Sequence, residues 1–533
     1  MKKTIILIFI LIFFLGCEKD NKDLNSIKLD SSKNVIKISK HIATKDQNSS
    51  NINLNKATSH IISYSKGLTN IEPSLKDYKE ANITGIYPSN IKKMNEVIRI
   101  LGKGKRVSDL NYQVNHDYIY DFNNSNIKKF KLLINNHKIK FTKSVIGNKT
   151  AFLKIRVHSK GIGKILFTHI YIQSNNKKFN YTFESNANGI RYLNVSDLNI
   201  SKDKSIKIYG KNLTIDKNLE MIYFKNDDLS NKKILILSPH PDDAELAAFG
   251  IYNKYHNNTY IVTITSGDAG PKHIYDKFYK NVSNVKIYRD KGNLRVLDSL
   301  NTPRFAKVPA NNILNLGFFD GTLNKLYDNN TTLISSLYSN VKSVNFYRKL
   351  NISPLSKKLV GDSRWINLVQ NLAILLKEIK PDIIITPYPL IDRHPDHKLT
   401  TVALLEALKK LNIQKGKLFL YTNHYIATGL YPFGGIGDPV NLPPEYGSHI
   451  YFNGIYSNSL SNHDMGKKAI ALNMMSDLRF PFADTFFKSS SICTDDNSLI
   501  CSSILRSYVR KNELFFIVDI KNIYNDKVMK RLW

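Results

Sequence analysis

Two short polar runs, each placed directly after a stretch of apolar residues, constrain this chain more than any other feature. Ser238-Pro239-His240-Pro241-Asp242-Asp243-Ala244-Glu245 follows Lys233-Ile234-Leu235-Ile236-Leu237, and Arg393-His394-Pro395-Asp396-His397 follows Asp382-Ile383-Ile384-Ile385-Thr386. Apolar runs of that length, bounded by polar turns, predict buried parallel strands. A helical pattern comes after each, so both His/Asp clusters fall where a strand gives way to a helix. In open α/β sheets ligands bind in that crevice, beyond the carboxyl ends of the strands. Two such clusters at equivalent edges of one sheet point to a single metal site.

The same alternation of strand and helix runs from Asn231 onward. A strand over Thr259–Thr265 ends in Ser266-Gly267-Asp268-Ala269-Gly270, and helices are expected over Val285–Leu300, Trp365–Lys380 and Leu399–Leu411. A further strand begins at Ile313 and closes on Asp320-Gly321. This predicts an α/β fold with a doubly wound, mostly parallel sheet. Residues Asn329 to Asp362 read as an insertion in it. Ahead of it, from Asn111 to Lys225, the apolar period changes to two, as in Phe130–Ile134, Ala151–Val157, Ile165–Ile172 and Ser205–Tyr209. Short alternating strands separated by Asn, Gly and Ser turns predict a β-sandwich-like accessory domain. Its many tyrosines and phenylalanines suit either core packing or stacking on sugars.

The N-terminus has a different grammar. Lys2 and Lys3 precede an apolar run from Ile5 to Leu15, too short to span a bilayer and shaped like a signal peptide. Its ending, Leu15-Gly16-Cys17, resembles a bacterial lipobox, although Phe14 departs from that pattern. The resemblance implies a lipid on Cys17 and an extracytoplasmic protein anchored to a bacterial membrane. An ordinary cleaved signal peptide is the alternative. Residues 18–57 are rich in Lys, Asn, Ser and Asp and read as a flexible tether. Residues 58–110 read as partly helical, 111–225 as the accessory module, 226–480 as the catalytic domain and 481–533 as a C-terminal extension. With Cys17 set aside, Cys493 and Cys501 remain of the three cysteines, and an exported chain favours a disulfide between them over two free thiols. The formal charge of +33 is dispersed along the chain and suits anionic surfaces. No nucleic-acid motif accompanies it, so nucleic acid is not an expected partner. Nothing in the sequence speaks to oligomeric state.

A catalytic zinc site takes three protein ligands drawn from His, Asp, Glu or Cys and keeps one position open. His240, Asp243 and His397 supply such a set. Asp242, adjacent to a ligand but pointing elsewhere at a strand-to-helix turn, suits a general base. Pro395 suits the first position of a helix, which puts His394 at the cap and His397 in the first turn. His394, held as imidazolium by Asp396, would then stabilise an oxyanion and protonate a leaving amine. These parts describe amide hydrolysis.

His240-Pro-Asp-Asp-Ala-Glu245, Ser266-Gly-Asp268, Leu316-Gly-Phe-Phe-Asp-Gly321 and His394-Pro-Asp-His397 together resemble the PIG-L (LmbE-like) zinc deacetylase family, over roughly Asn231 to Arg479. The resemblance implies His240, Asp243 and His397 as ligands of one Zn²⁺, with another divalent transition metal as the alternative. It implies Asp242 as base and His394, tuned by Asp396, as electrostatic catalyst. Asp268, Arg289 and Asp320 stand where substrate contacts would, although Asn293 replaces the acidic residue expected near Arg289. Glu245 is read as support for the ligand loop and His424 as a structural histidine. The implied reaction is removal of N-acetyl groups from an amino sugar in an extracytoplasmic polysaccharide or glycoconjugate. Two alternatives stay open: a glycan-binding lipoprotein without activity, and hydrolysis of another amide or carbamoyl group on the same fold.

Overall fold

The computed structural model describes residues 116–122, 127–145, 147–174, 177–198, 200–202, 204–270, 279–425, 431–447, 449–475 and 508–533. The expected signal peptide, Cys17, the tether, the 58–110 segment and the Cys493–Cys501 pair lie outside them.

Between residues 127 and 225 the described chain is β structure with two short 3-10 turns. Strands β1 (Lys128–Asn135), β2 (Lys138–Lys140), β3 (Lys149–Ser159), β4 (Phe167–Ser174), β5 (Lys177–Ser185), β6 (Asn188–Asn194), β7 (Ser205–Lys211), β8 (Leu213–Ile215) and β9 (Asn218–Lys225) follow in turn. They form one antiparallel sheet in the order β5-β4-β7-β2-β1-β9-β3-β6, with β8 beside β3. β1 runs through both parts of it: Lys128–Leu133 pair with β9, and Ile134 and Asn135 pair with β2. The sheet therefore curls round a single core that includes Ile139, Phe141, Leu153, Ile170, Ile172, Phe183 and Ile208.

The second sheet runs β12-β11-β10-β13-β14-β16-β15. Its strands are β10 (Ile234–Ser238), β11 (Thr259–Thr265), β12 (Ile313–Phe318), β13 (Ile383–Pro387), β14 (Lys417–Tyr421), β15 (Gly454–Ser459) and β16 (Asn512–Asp519). The first five are parallel, and β16 lies antiparallel to both of its neighbours. β10 is central, and Ile234, Leu235, Ile236 and Leu237 are each at most 1% exposed. A strand buried on both faces needs an unbroken apolar run, which is why no alternation marks it. Helices α1 (Asp243–Lys254), α2 (Asn284–Phe305), α3 (Trp365–Ile379), α4 (Pro395–Lys410) and α5 (Asn462–Met474) pack as two groups. α5 touches α1 and α2, while α3 packs on α4. From β10 the chain steps outward through β11 to β12 and then crosses back to β13 on the other side of β10, so the direction of winding reverses between β10 and β13. That reversal opens the crevice that α/β folds use for ligands.

A polar seam joins the two sheets. Ser457 N donates to Thr150 Oγ1 at 2.7 Å, and Asn194 Nδ2 donates to Val440 O and to Ser457 Oγ, each at 3.0 Å. Tyr120, Phe122, Phe452 and Phe516 pack ring against ring beside it. Among the described residues no helix is long and apolar enough to cross a membrane.

Candidate active site

Both polar runs lie at the carboxyl ends of adjacent strands, β10 and β13, and the local bonding explains the shape of each. After β10, Ser238 Oγ accepts from Ala244 N and His240 N donates to Asp243 Oδ2, which folds the loop back onto the start of α1. Thr265 Oγ1 and N both donate to Pro239 O, tying that loop to the end of β11. After β13, His394 is the N-cap of α4 with Pro395 in the first turn. Proline suits that position because its missing N–H is one the helix cannot use.

The loops bring three donor atoms into a closed triangle. His240 Nδ1 is 3.3 Å from Asp243 Oδ2, His397 Nε2 is 3.1 Å from the same oxygen, and the two ring nitrogens are 3.2 Å apart. Donors 2.0–2.2 Å from a tetrahedral zinc stand about 3.3–3.6 Å from one another. The triangle is therefore the right size for one face of such a site. The opposite ring nitrogens are held as well: His397 Nδ1 is 3.0 Å from Asp392 Oδ2, and His240 Nε2 is 3.2 Å from both Asp320 Oδ1 and Asp396 Oδ2. Asn423 Nδ2 donates to Asp243 Oδ1 at 2.8 Å. Carboxylates behind metal-facing imidazoles fix the ring and its tautomer.

The charge balance points the same way. Burial alone would lower both imidazoles, but Asp320, Asp243 and Asp396 carry His240 well above its ordinary value. Asp243 and Asp392 likewise carry His397 up to about 9. Burial would raise Asp243, yet His397 and His240 hold it well below the usual carboxylate range. Four carboxylates, three of them buried, thus draw positive charge onto two rings. A divalent cation bound to neutral imidazoles satisfies the same carboxylates, and its binding displaces those protons. The residues fit a metal of the zinc type.

Asp242 lies outside the triangle. Its Oδ2 is 3.4 Å from Arg295 Nη2, which also donates to Pro241 O at 2.9 Å. Burial pushes the Asp242 carboxyl up to about 7; Arg295 opposes the rise and Asp243 adds to it. His394 faces the same space, its ring centre 4.6 Å from that of His240 and 4.9 Å from that of His397. Its Nδ1 accepts from Asp396 N, so the neutral ring carries its hydrogen on Nε2.

Several expected roles change. The Asp396 carboxylate does not hold His394: it accepts from Gly321 N at 2.7 Å and Leu323 N at 3.1 Å and meets His240. In the first turn of α4 its side chain turns across the crevice, and only its N–H reaches back to the cap. Asp268 is held as a strut. It accepts from Ser266 Oγ, Ser336 Oγ, Ser339 Oγ, Tyr347 OH and Asp320 N, which fastens the 329–362 insertion to the site. Arg289 donates to Ser339 O and lies 6.0 Å from the Phe346 ring, so it too serves that insertion. Arg295, six residues further along α2, is the arginine beside Asp242. Asp320 does border the site, through His240. Glu245 accepts from Tyr252 OH within α1.

Asp392, Asn423 and Arg295 join the site without belonging to either polar run, and His424 comes closer to it than a purely structural histidine would. The His424 ring is 4.9 Å from that of His397 and joins Asp243 and His397 as a candidate metal-holding group. Asn423 and His424 follow β14 directly, so the strand-end rule that selects the other histidines selects them as well. Asp392→Ala is expected to weaken metal affinity by about 10–100-fold. A chelator-competition titration measures it, and unchanged affinity would remove Asp392 from the site.

Residues 235–408 match the family model described as PIG-L: GlcNAc-PI de-N-acetylase. No curated protein matches the chain. Among solved structures, the zinc-inhibited form of teicoplanin deacetylase Orf2 is similar at 16% identity and TM-score 0.29, over 54% of this chain and 97% of that one. The A40926 pseudoaglycone deacetylase Dbv21 is similar at 14% and 0.28, over 54% and 98%. The conserved protein TT1542 from Thermus thermophilus is similar at 16% and 0.26, over 54% and 94%.

Proposed function

We propose, from the match of residues 235–408 to the PIG-L family model, that the protein hydrolyses N-acetyl groups of an amino sugar within a glycan outside the cytoplasm. The observation that carries the reading is the donor triangle of His240, Asp243 and His397, with edges of 3.1–3.3 Å, beside a carboxylate that is not part of it. Two imidazoles and one carboxylate suit Zn²⁺. When bound there, the ion supplies Lewis-acid polarisation of the amide carbonyl and makes water more acidic.

The chain's own groups account for the remaining chemistry. Asp242 takes a proton from the attacking water, and Arg295 holds its carboxylate and the Pro241 carbonyl in place. The Nε2–H of His394 donates to the oxygen on which negative charge develops. The departing amine takes up a proton, and Asp242, having just received one, is positioned to return it. Export through the Lys2–Cys17 leader, and lipidation of Cys17, place the reaction on a membrane surface facing away from the cytoplasm.

The test is acetate release from N-acetylglucosamine oligomers by the full chain. A chelator is expected to abolish release, and added Zn²⁺ to restore it. Release that survives a chelator which has stripped the protein of metal would overturn the metal reading. A product mass showing loss of a group other than acetyl would assign the same site to a different amide.

A further inference from the structure

The outward face of β5, β4, β7 and β2 is far from neutral, and the strand pairing shows how it is built. Ile139, Ile170, Ile172, Ile206 and Ile208 point inward, each at most 1% exposed. Alternation sends their neighbours outward. Cross-strand register aligns those neighbours in rows: Lys178 opposite Gln173, Gln173 opposite Lys207, and Lys207 opposite Lys138. The next row holds Asn180, Tyr171 and Tyr209, and the one after it His169 and Lys211 beside the buried Thr182. The one acid within these four strands is Glu184, buried against Arg191. Asp438 reaches the edge of the face, where it accepts from Asn180 Nδ2. Lysines placed directly opposite one another, as Lys138 and Lys207 are, repel and weaken a sheet. An anion laid across the row removes that cost.

The rings give the face its second character. Tyr171 and Tyr209 are half-buried neighbours with centroids 5.5 Å apart and planes 34° apart, and His169 stacks beside Tyr171 at 6.2 Å. Lys178 Nζ stands 4.2 Å from the centre of the Tyr171 ring, so cation and ring are presented together. Aromatic faces take the C–H faces of sugar rings, and the surrounding lysines and Gln173 offer donors to carboxylate, sulfate or phosphate groups.

We propose that this face binds an anionic glycan chain, across a row that spans about 14 Å from β5 to β2 at the usual strand spacing. The choice of a glycan rests on the function proposed above. Amide and ammonium groups flank the tyrosines where a membrane-inserting surface would carry aliphatic ones, and this favours a sugar polymer over a lipid surface. A platform of this kind would hold a polymer near the enzyme without taking part in hydrolysis.

The test measures binding of the full chain to polygalacturonate, with neutral dextran, phosphatidylglycerol vesicles and a single-stranded oligonucleotide as competing ligands. Binding is read without turnover, so an inactive metal site leaves the result intact. Polygalacturonate is expected to bind better than all three, and more weakly as salt rises. Tyr171→Ala/Tyr209→Ala is expected to weaken binding about tenfold or more, on the scale of lost ring stacking. Lys138→Gln/Lys207→Gln, which removes a repulsion and so should fold, is expected to weaken binding several-fold and flatten the salt dependence. Acetate release from a short oligomer should stay unchanged in both variants. Equal binding by the lysine variant, or preference for dextran, vesicles or oligonucleotide, overturns the proposal.

Discussion

Asp242→Asn is expected to lower kcat for acetate release by about 10²–10⁴-fold while leaving the metal content of the protein unchanged. The two halves of that expectation come from separate features of the site. Asp243, not Asp242, closes the triangle with His240 and His397. Asparagine keeps the size of the side chain and a hydrogen-bond acceptor for Arg295, which stands 3.4 Å from the carboxylate. What it lacks is the ability to take a proton. Metal analysis beside single-turnover kinetics checks both halves. If metal were lost in proportion to activity, Asp242 would be a ligand and not the base.

Glu513→Ala is expected to destabilise the protein by about 3–5 kcal/mol, the cost typical of breaking a buried ion pair on one side. Helix α1 begins with Asp243, yet Ala248 in its middle departs from helical geometry, with φ −140° and ψ 18°. Glu513 on β16 fills that break. Its carboxylate accepts from Gly250 N at 2.8 Å, Ile251 N at 3.3 Å, Asn458 Nδ2 at 3.0 Å and Lys468 Nζ at 2.9 Å. Lys468 and Glu513 are both 2% exposed in their side chains, so alanine would leave three amide groups without this acceptor and the buried ammonium with only the Leu246 carbonyl. Position 250 must be glycine for the same reason: a Cβ there would lie 2.7 Å from Asn458 Nδ2 and 2.9 Å from Glu513 Oε2. Replacing the pair together, Glu513→Leu with Lys468→Met, is expected to recover much of the loss, because no unpaired ion remains. Denaturant midpoints measure both variants, and a single Glu513→Ala change of under about 1 kcal/mol would show that water satisfies the pocket.

Much of the α/β half was legible because its signals are local. Short apolar runs, Ile234–Leu237 and Ile383–Ile385, mark β10 and β13, and Pro395 with His394 marks the start of α4. The helix expected over Trp365–Lys380 is observed over Trp365–Ile379, and the strand over Thr259–Thr265 spans those same residues. In the β half, period-two alternation located β1, β3, β4 and β7. It did not reveal that β1 pairs with two different neighbours, since alternation carries no information about which strands meet. The partners of Asp268 and Arg289 were hidden for a similar reason. A buried aspartate such as Asp268 serves equally well as a ligand contact or a strut, and only its five donors decide which.

The sequence by itself determined the placement of histidine and aspartate at successive strand ends, because a strand, a turn and a helix cap are each specified within a few residues. It also determined that the lysines and tyrosines of β4 and β7 alternate with isoleucines. Only the tertiary structure decided which atoms meet. His240 and His397 are brought together by the reversal of the sheet between β10 and β13, Arg295 reaches Asp242 from a different helix, and Glu513 holds α1 from the far end of the chain. Such contacts join residues separated by 53 to 263 positions. They depend on how elements pack, and a pattern confined to one element does not encode them.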